Sequence, residues 1–261
     1  QFGDLPVDGA FANWAKGFSG CDGGNPHGAV WFCGIEYGAG PGETLPDGER
    51  VDWPDTVDDH SCGGDRMRFI DKHRFNLKLA KLYAAMIDWQ GSGYRDCFRD
   101  TAIFGSREAG SDTFKANLYP MGFRHADGGW TWAHYKRTGL PTKELYRGWC
   151  QTRRFPVMRQ WTQETYTPSV VICLGRSFRD EFVLCFDGQE AVFSEDNVVP
   201  IGARHELCWR PTGAKRQLLF VLPFLGPGGL MSNSDIAEAG RTIGSVAREY
   251  IGPAWCRRNW E

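Results

Sequence analysis

Three runs of consecutive apolar residues stand out from an otherwise mixed chain: VWFC at 30 to 33, VVICL at 170 to 174 and LLFVL at 218 to 222. Each is short, rich in β-branched or aromatic residues and closed by glycine or proline. That is the pattern of strands buried on both faces of a parallel sheet. A fourth segment, TFKANLYPMGF at 113 to 123, reads as a strand ending at Asn117, because Pro120 interferes with any continuing strand or helix.

Between the strands, apolar residues recur at three- and four-residue intervals. They predict a helix from about Asp65 to Gln90, with Leu79, Leu82, Tyr83, Met86 and Ile87 inward and Lys72, Arg74, Lys78 and Lys81 outward. A second helical pattern begins at Thr142 and runs into the early 160s around Phe155, Met158 and Trp161. A third follows the Gly- and Ser-rich turn at 226 to 235, with Ile236, Ala239, Ile243, Val246, Ala247 and Tyr250 as its apolar face and Asp235 with Glu238 as a cap pair. Residues 1–29 read as a short helix and a loop, 94–108 as a helix or irregular lid, 179–189 as a short helix or strand, and 191–199 as edge-like. Strands alternating with helices predict an α/β three-layer fold with a central, mostly parallel sheet flanked by helices. The expected organisation is one domain over 1–261, with an acidic Gly- and Pro-rich insertion at about 41–64.

Composition adds bounds. At 261 residues, 41% hydrophobic and 24% charged, the chain has the make-up of a globular protein. No run of about 18 apolar residues predicts a membrane span, and the first residues lack the basic and apolar regions of a signal peptide. Nine cysteines, several within apolar runs, predict free thiols packing as small hydrophobes in a reduced, cytoplasmic protein. Cys21, His27, Cys33 and Cys62 match no common zinc spacing and no CxxC pair exists, so neither metal nor cofactor is expected. Residues 1–130 carry 13 Lys/Arg against 19 Asp/Glu, whereas residues 131–261 carry 17 against 13. A nucleic-acid partner would therefore meet a basic face built mainly from the second half.

The candidate chemistry sits at strand ends. Glu36 follows the first strand, where open α/β sheets bind ligands, although a solvated surface acid fits the local pattern equally well. Asn117 can present an amide donor and acceptor into a pocket, or satisfy backbone groups in its own turn. Arg204, Arg210, Lys215 and Arg216 surround Trp209 and can contact phosphates or form a solvated basic loop. The turn at 226 to 235 can receive a phosphate at its helix start, but neither GxxxxGK[ST] nor GxGxxG is present.

Taken in order, GIEYG at 34 to 38, FKANLYPMGF at 114 to 123, VVICLG at 170 to 175 and LLFVLPFLGPGGL at 218 to 230 resemble the uracil-DNA glycosylase superfamily over about residues 28 to 250. The resemblance implies a monomeric, monofunctional DNA glycosylase acting on DNA. Glu36 falls at the water-activating position and Asn117 at the base-recognition position, with Tyr37, Phe123 or Tyr94 available to stack on the base. Gly228, Gly229, Leu230, Met231 and Ser232 would form the DNA clamp, with Leu230 or Met231 as the wedge, unless Leu230 is simply a core residue. Two departures matter: Tyr37 replaces the usual proline, and Pro223–Phe224 or Gly226–Pro227 stands where the family has a His-Pro-Ser-type signature. Losing that histidine removes a donor to the leaving base. The implied substrate is thus a modified or non-canonical base, with antiphage defence a fitting role beside DNA repair, rather than plain uracil. Two other readings compete: a non-catalytic DNA- or nucleobase-binding module, and a hydrolase of nucleosides or small molecules.

Overall fold

The computed structural model describes residues 6–36, 74–107, 109–123, 129–190, 192–213 and 216–257. The predicted insertion at 41–64, Tyr37 and Lys215 lie outside them. In chain order the main elements are α1 (Gly9–Ala15), β1 (Gly23–Gly24), β2 (Val30–Gly34), α2 (Arg74–Met86), α3 (Tyr94–Asp100), β3 (Thr113–Asn117), α4 (Trp132–Thr138) and α5 (Lys143–Trp149). They continue with α6 (Phe155–Gln160), β4 (Val170–Leu174), α7 (Arg179–Phe186), β5 (Val198–Ile201), β6 (His205–Pro211), β7 (Leu218–Leu222) and α8 (Asn233–Tyr250).

The predicted α/β fold is present. Seven strands form one sheet in the order β1-β3-β2-β4-β7-β6-β5. β3, β2, β4 and β7 are mutually parallel, and β1, β6 and β5 pair antiparallel at the edges. Every residue of β2, β4 and β7 is buried, as their unbroken apolar runs require. Alternation divides their side chains between two cores. Val30, Phe32, Val170, Ile172 and Phe220 meet α2 and α8, whereas Trp31, Cys33, Val171, Cys173 and Val221 meet the helices of the opposite face.

Several expectations require correction. The helix predicted to Gln90 ends at Met86, after which Asp88 takes a positive φ of 52°. The basic stretch from Arg204 to Arg210 is not a loop but contains β6, in which Leu207 and Cys208 are buried and the other residues are half-buried or exposed. The cap of α8 is Ser232, whose hydroxyl accepts from Asp235 N at 3.0 Å; Glu238 instead accepts from Gly202 N at 3.1 Å. Ser232 is thereby committed to capping.

The helix begun by α5 continues through Cys150–Arg154, α6 and Trp161–Thr165, with two wide π turns. Pro156 lacks an N–H, and the preceding turn widens so that Phe155 N donates to Cys150 O. The wide turn delivers Arg154 to the carboxyl end of β3, where its guanidinium is fully buried. It donates to the carbonyls of Leu118, Ala15, Gly17, Ser19 and Asn117 and to the Ser19 hydroxyl.

Candidate active site at the carboxyl ends of the parallel strands

The chain runs from β2 to its neighbour β3, then crosses back to β4 on the other side of β2. The direction of winding therefore reverses between β2 and β4, and a crevice opens outside the carboxyl ends of these strands. Glu36 stands two residues beyond β2, at that crevice. Its side chain is 5% exposed and its Oε1 lies 3.7 Å from Lys143 Nζ, itself on a side chain 8% exposed. Lys143 opens α5, after the Thr142 cap that accepts from Leu145 N. Burying two charges is costly, and their mutual attraction offsets part of that cost.

Lys143 also lies 3.4 Å from the centroid of Phe123. Phe123 stacks on His134 at 5.2 Å and 12°, and Trp130 stacks on His134 at 4.9 Å and 28°. Phe123 is thus packed by His134 and the Lys143 ammonium, and a base would have to displace one of them to stack there. The Nδ1 of His134 accepts from Thr131 N at 3.0 Å, which requires that nitrogen to be unprotonated. Burial, and then the charges of Lys143 and Arg137, lower its pKa from 6.5. A lowered folded-state value means that the unfolded chain binds the proton more readily, so His134 stabilises the fold above pH 6.5 and this contribution is lost as pH falls. The melting temperature should drop between about pH 7.5 and about pH 5.5, and His134→Gln should flatten part of that slope. Equal slopes in thermal melts of the two proteins would refute the assignment.

Asn117 does reach the same sheet end, directly opposite Gly34 in the β2–β3 register. A Cβ on Gly34 would come within 2.3 Å of Asn117 Oδ1, so the glycine of the first motif makes room for the amide of the second. The amide nitrogen, however, donates to Gly20 O at 2.6 Å and points to Asp22 Oδ2 at 3.4 Å. Asp22 in turn pairs with Lys115 at 2.8 Å. Both contacts direct the amide nitrogen at the loop before β1, which is neither the turn that follows Asn117 nor a ligand pocket.

The loop after β7 brings further corrections. Leu230 is 0% exposed and belongs to the core with α2 and α8, so it is not a free wedge. Its N–H donates to Phe224 O at 2.8 Å and closes the loop. Gly229 is required there, since a Cβ would lie 2.0 Å from the same oxygen. The large apolar side chains that face outward are Met231, at 57%, and Phe224, at 42%. Gly228, at φ +81°, has open space about it.

The three candidate phosphate contacts among the described residues do not form one patch. β6 runs antiparallel to β7 and places Arg210 opposite Leu219, about 10 Å below the strand ends. Arg210 is also committed: it pairs with the buried Asp187 at 3.0 Å and donates to Glu190 O and Val192 O. Arg216 precedes β7 and shares that lower end. Arg204 alone, exposed in the β5–β6 hairpin, lies towards the upper end.

Sequence reasoning passed over Lys143, Phe224 and Arg154. A threonine before a helical pattern locates Lys143 on the first turn, and Phe224 stood where the resembled family has its His-Pro-Ser-type signature, but their partners come from distant segments. Cys33, Cys173 and Cys185 are free and buried, and burial raises each thiol pKa, which suits packing rather than reactivity. Among the described residues no His, Cys, Asp and Glu cluster is arranged to hold a metal ion, and no helix is long and apolar enough to cross a membrane. Comparisons with family models, with curated proteins and with solved structures return no match for this chain.

Proposed function

We propose that the chain is a monofunctional DNA glycosylase that hydrolyses the N-glycosidic bond of a modified or non-canonical base. The observation that carries this reading is the buried Glu36 carboxylate at the winding reversal of the sheet, held by Lys143. Breaking the bond builds positive charge on the sugar. A carboxylate in a water-poor crevice stabilises that charge and orients or deprotonates the water that attacks C1′. The electron pair of the broken bond leaves with the base, and Lys143 supplies a cation near that departing charge. The co-location of Glu36, Asn117 and the Phe224–Met231 loop at one end of the sheet supports the reading.

The test is a panel of oligonucleotides, each carrying one deaminated, alkylated or otherwise substituted base. They are incubated with the protein and then treated with alkali to cleave abasic sites. At least one should break only after alkali, since a monofunctional enzyme leaves the backbone intact. A broad panel without base release would overturn the proposal. A specific observation favours the competing non-catalytic module: the Asn117 amide is engaged within the protein. Tight, base-dependent binding without turnover would select that reading.

A further inference from the structure

Phe224 is held as half of a rigid stack. Its ring lies on Phe75, at the start of α2, with centroids 5.3 Å apart and planes 19° from parallel. Lys115 Nζ lies 5.0 Å from the Phe75 centroid, while its ion pair with Asp22 and hydrogen bond to Asn76 fix it in place. From below, the closed loop fixes the Phe224 backbone through the Leu230 N–H to Phe224 O bond. Two further ammonium groups follow on α2: Lys78, one turn after Phe75, and Lys81, one turn beyond it with its Nζ 4.8 Å from the Tyr94 ring centroid. Lys78 donates to Leu230 O and Met231 Sδ, and Lys81 donates to Asn233 Oδ1 at 2.8 Å. Neither is paired with a carboxylate among the described residues, and burial, then the nearby Lys81 charge, lowers the Lys78 pKa.

We propose that the Phe75–Phe224 stack is a capping platform for an unstacked nucleobase, with Lys78 and Lys81 on the adjoining phosphates, so that the protein engages DNA as a single strand or at a strand opening. This rests on the DNA reading above. A side chain that wedges into a duplex must enter between two base planes and be bare on both sides. Phe224 has one side laid on Phe75, so no more than one face can take a base, and the residue is 42% exposed. Aromatic faces accept any base, and lysines with no carboxylate partner among the described residues complement the backbone, the combination by which single strands are held. Of the two apolar wedge candidates, Leu230 is in the core and Met231 is exposed with its Sδ accepting from Lys78.

The test uses a single-stranded oligonucleotide carrying 2-aminopurine, whose fluorescence falls on stacking, beside the matched continuous duplex. Wild type should quench the reporter and bind the single strand more tightly than the duplex. Phe224→Ala should weaken single-strand binding by about 5- to 100-fold and abolish the quench, while Phe224→Trp should retain both. Replacing Lys78 and Lys81 by glutamine should reduce the salt dependence of binding by about 1.4 in log–log slope. Unchanged binding or quench in Phe224→Ala, tighter binding to the continuous duplex, or no binding to either DNA by wild type would overturn the platform. Binding needs no base release, so the two proposals separate. Quenching without base release removes the glycosylase and keeps the platform, and base release with full quench in Phe224→Ala does the reverse.

Discussion

Glu36→Gln is expected to lower base release by about 10³-fold, the scale of a positioned general base and charge-stabilising group, while DNA binding stays near wild type. Glutamine keeps the shape but neither takes a proton from water nor opposes a sugar cation. The same change leaves the Lys143 ammonium buried beside a neutral amide. Breaking one side of such a pair costs about 3–5 kcal/mol, so the variant should also melt earlier. Combining it with Lys143→Met removes both charges at once and should recover much of that stability. Activity should not return with it. Base release and thermal melts on the single and double variants therefore separate chemistry from folding. If Glu36→Gln releases base at the wild-type rate, the carboxylate is structural and the proposed mechanism is wrong.

Arg154→Met is expected to have the largest effect on stability. The guanidinium is fully buried and ties the segment after α1 to the end of β3. Methionine fills much of the volume but leaves the carbonyls of Ala15, Gly17, Ser19, Leu118 and Asn117 without these donors. Each stranded acceptor costs about 1–3 kcal/mol, and because the losses overlap a total of about 4 kcal/mol is expected. For a chain of this size that corresponds to a melting temperature about 8–16 °C lower. Arg154→Lys should not rescue it, because three donors on a compact ammonium do not span the positions that a planar fork reaches. Urea denaturation showing a loss below about 1 kcal/mol would refute this account.

Arg154 also shows where reading the chain stops. Its position in a helical segment is evident from apolar periodicity, but an arginine on a helix is ordinarily a solvated residue. Only the wide turn before Pro156 and the arrival of residues 15–19 from the other end of the chain make it a buried organiser. The basic cluster fails for a related reason. Arg204, Arg210 and Arg216 are near in sequence, yet a strand and its antiparallel neighbour carry them to opposite ends of the sheet. Asn117 is intermediate: its place at a strand end was legible, whereas the partners that occupy its amide were not.

The four parallel strands, the helices between them and the location of Glu36 and Asn117 at strand ends were determined by the sequence alone. Hydrophobic periodicity and the glycine and proline stops are local properties that need no knowledge of the rest of the chain. The tertiary structure decided which strand ends adjoin, and hence that Glu36 stands at the winding reversal with Lys143 against it. It also decided that Leu230 turns inward while Phe224 lies outward on Phe75. Those outcomes depend on contacts between residues about 100 or more positions apart. Such contacts form only when burying the two faces of the sheet offsets the entropy of bringing distant segments together.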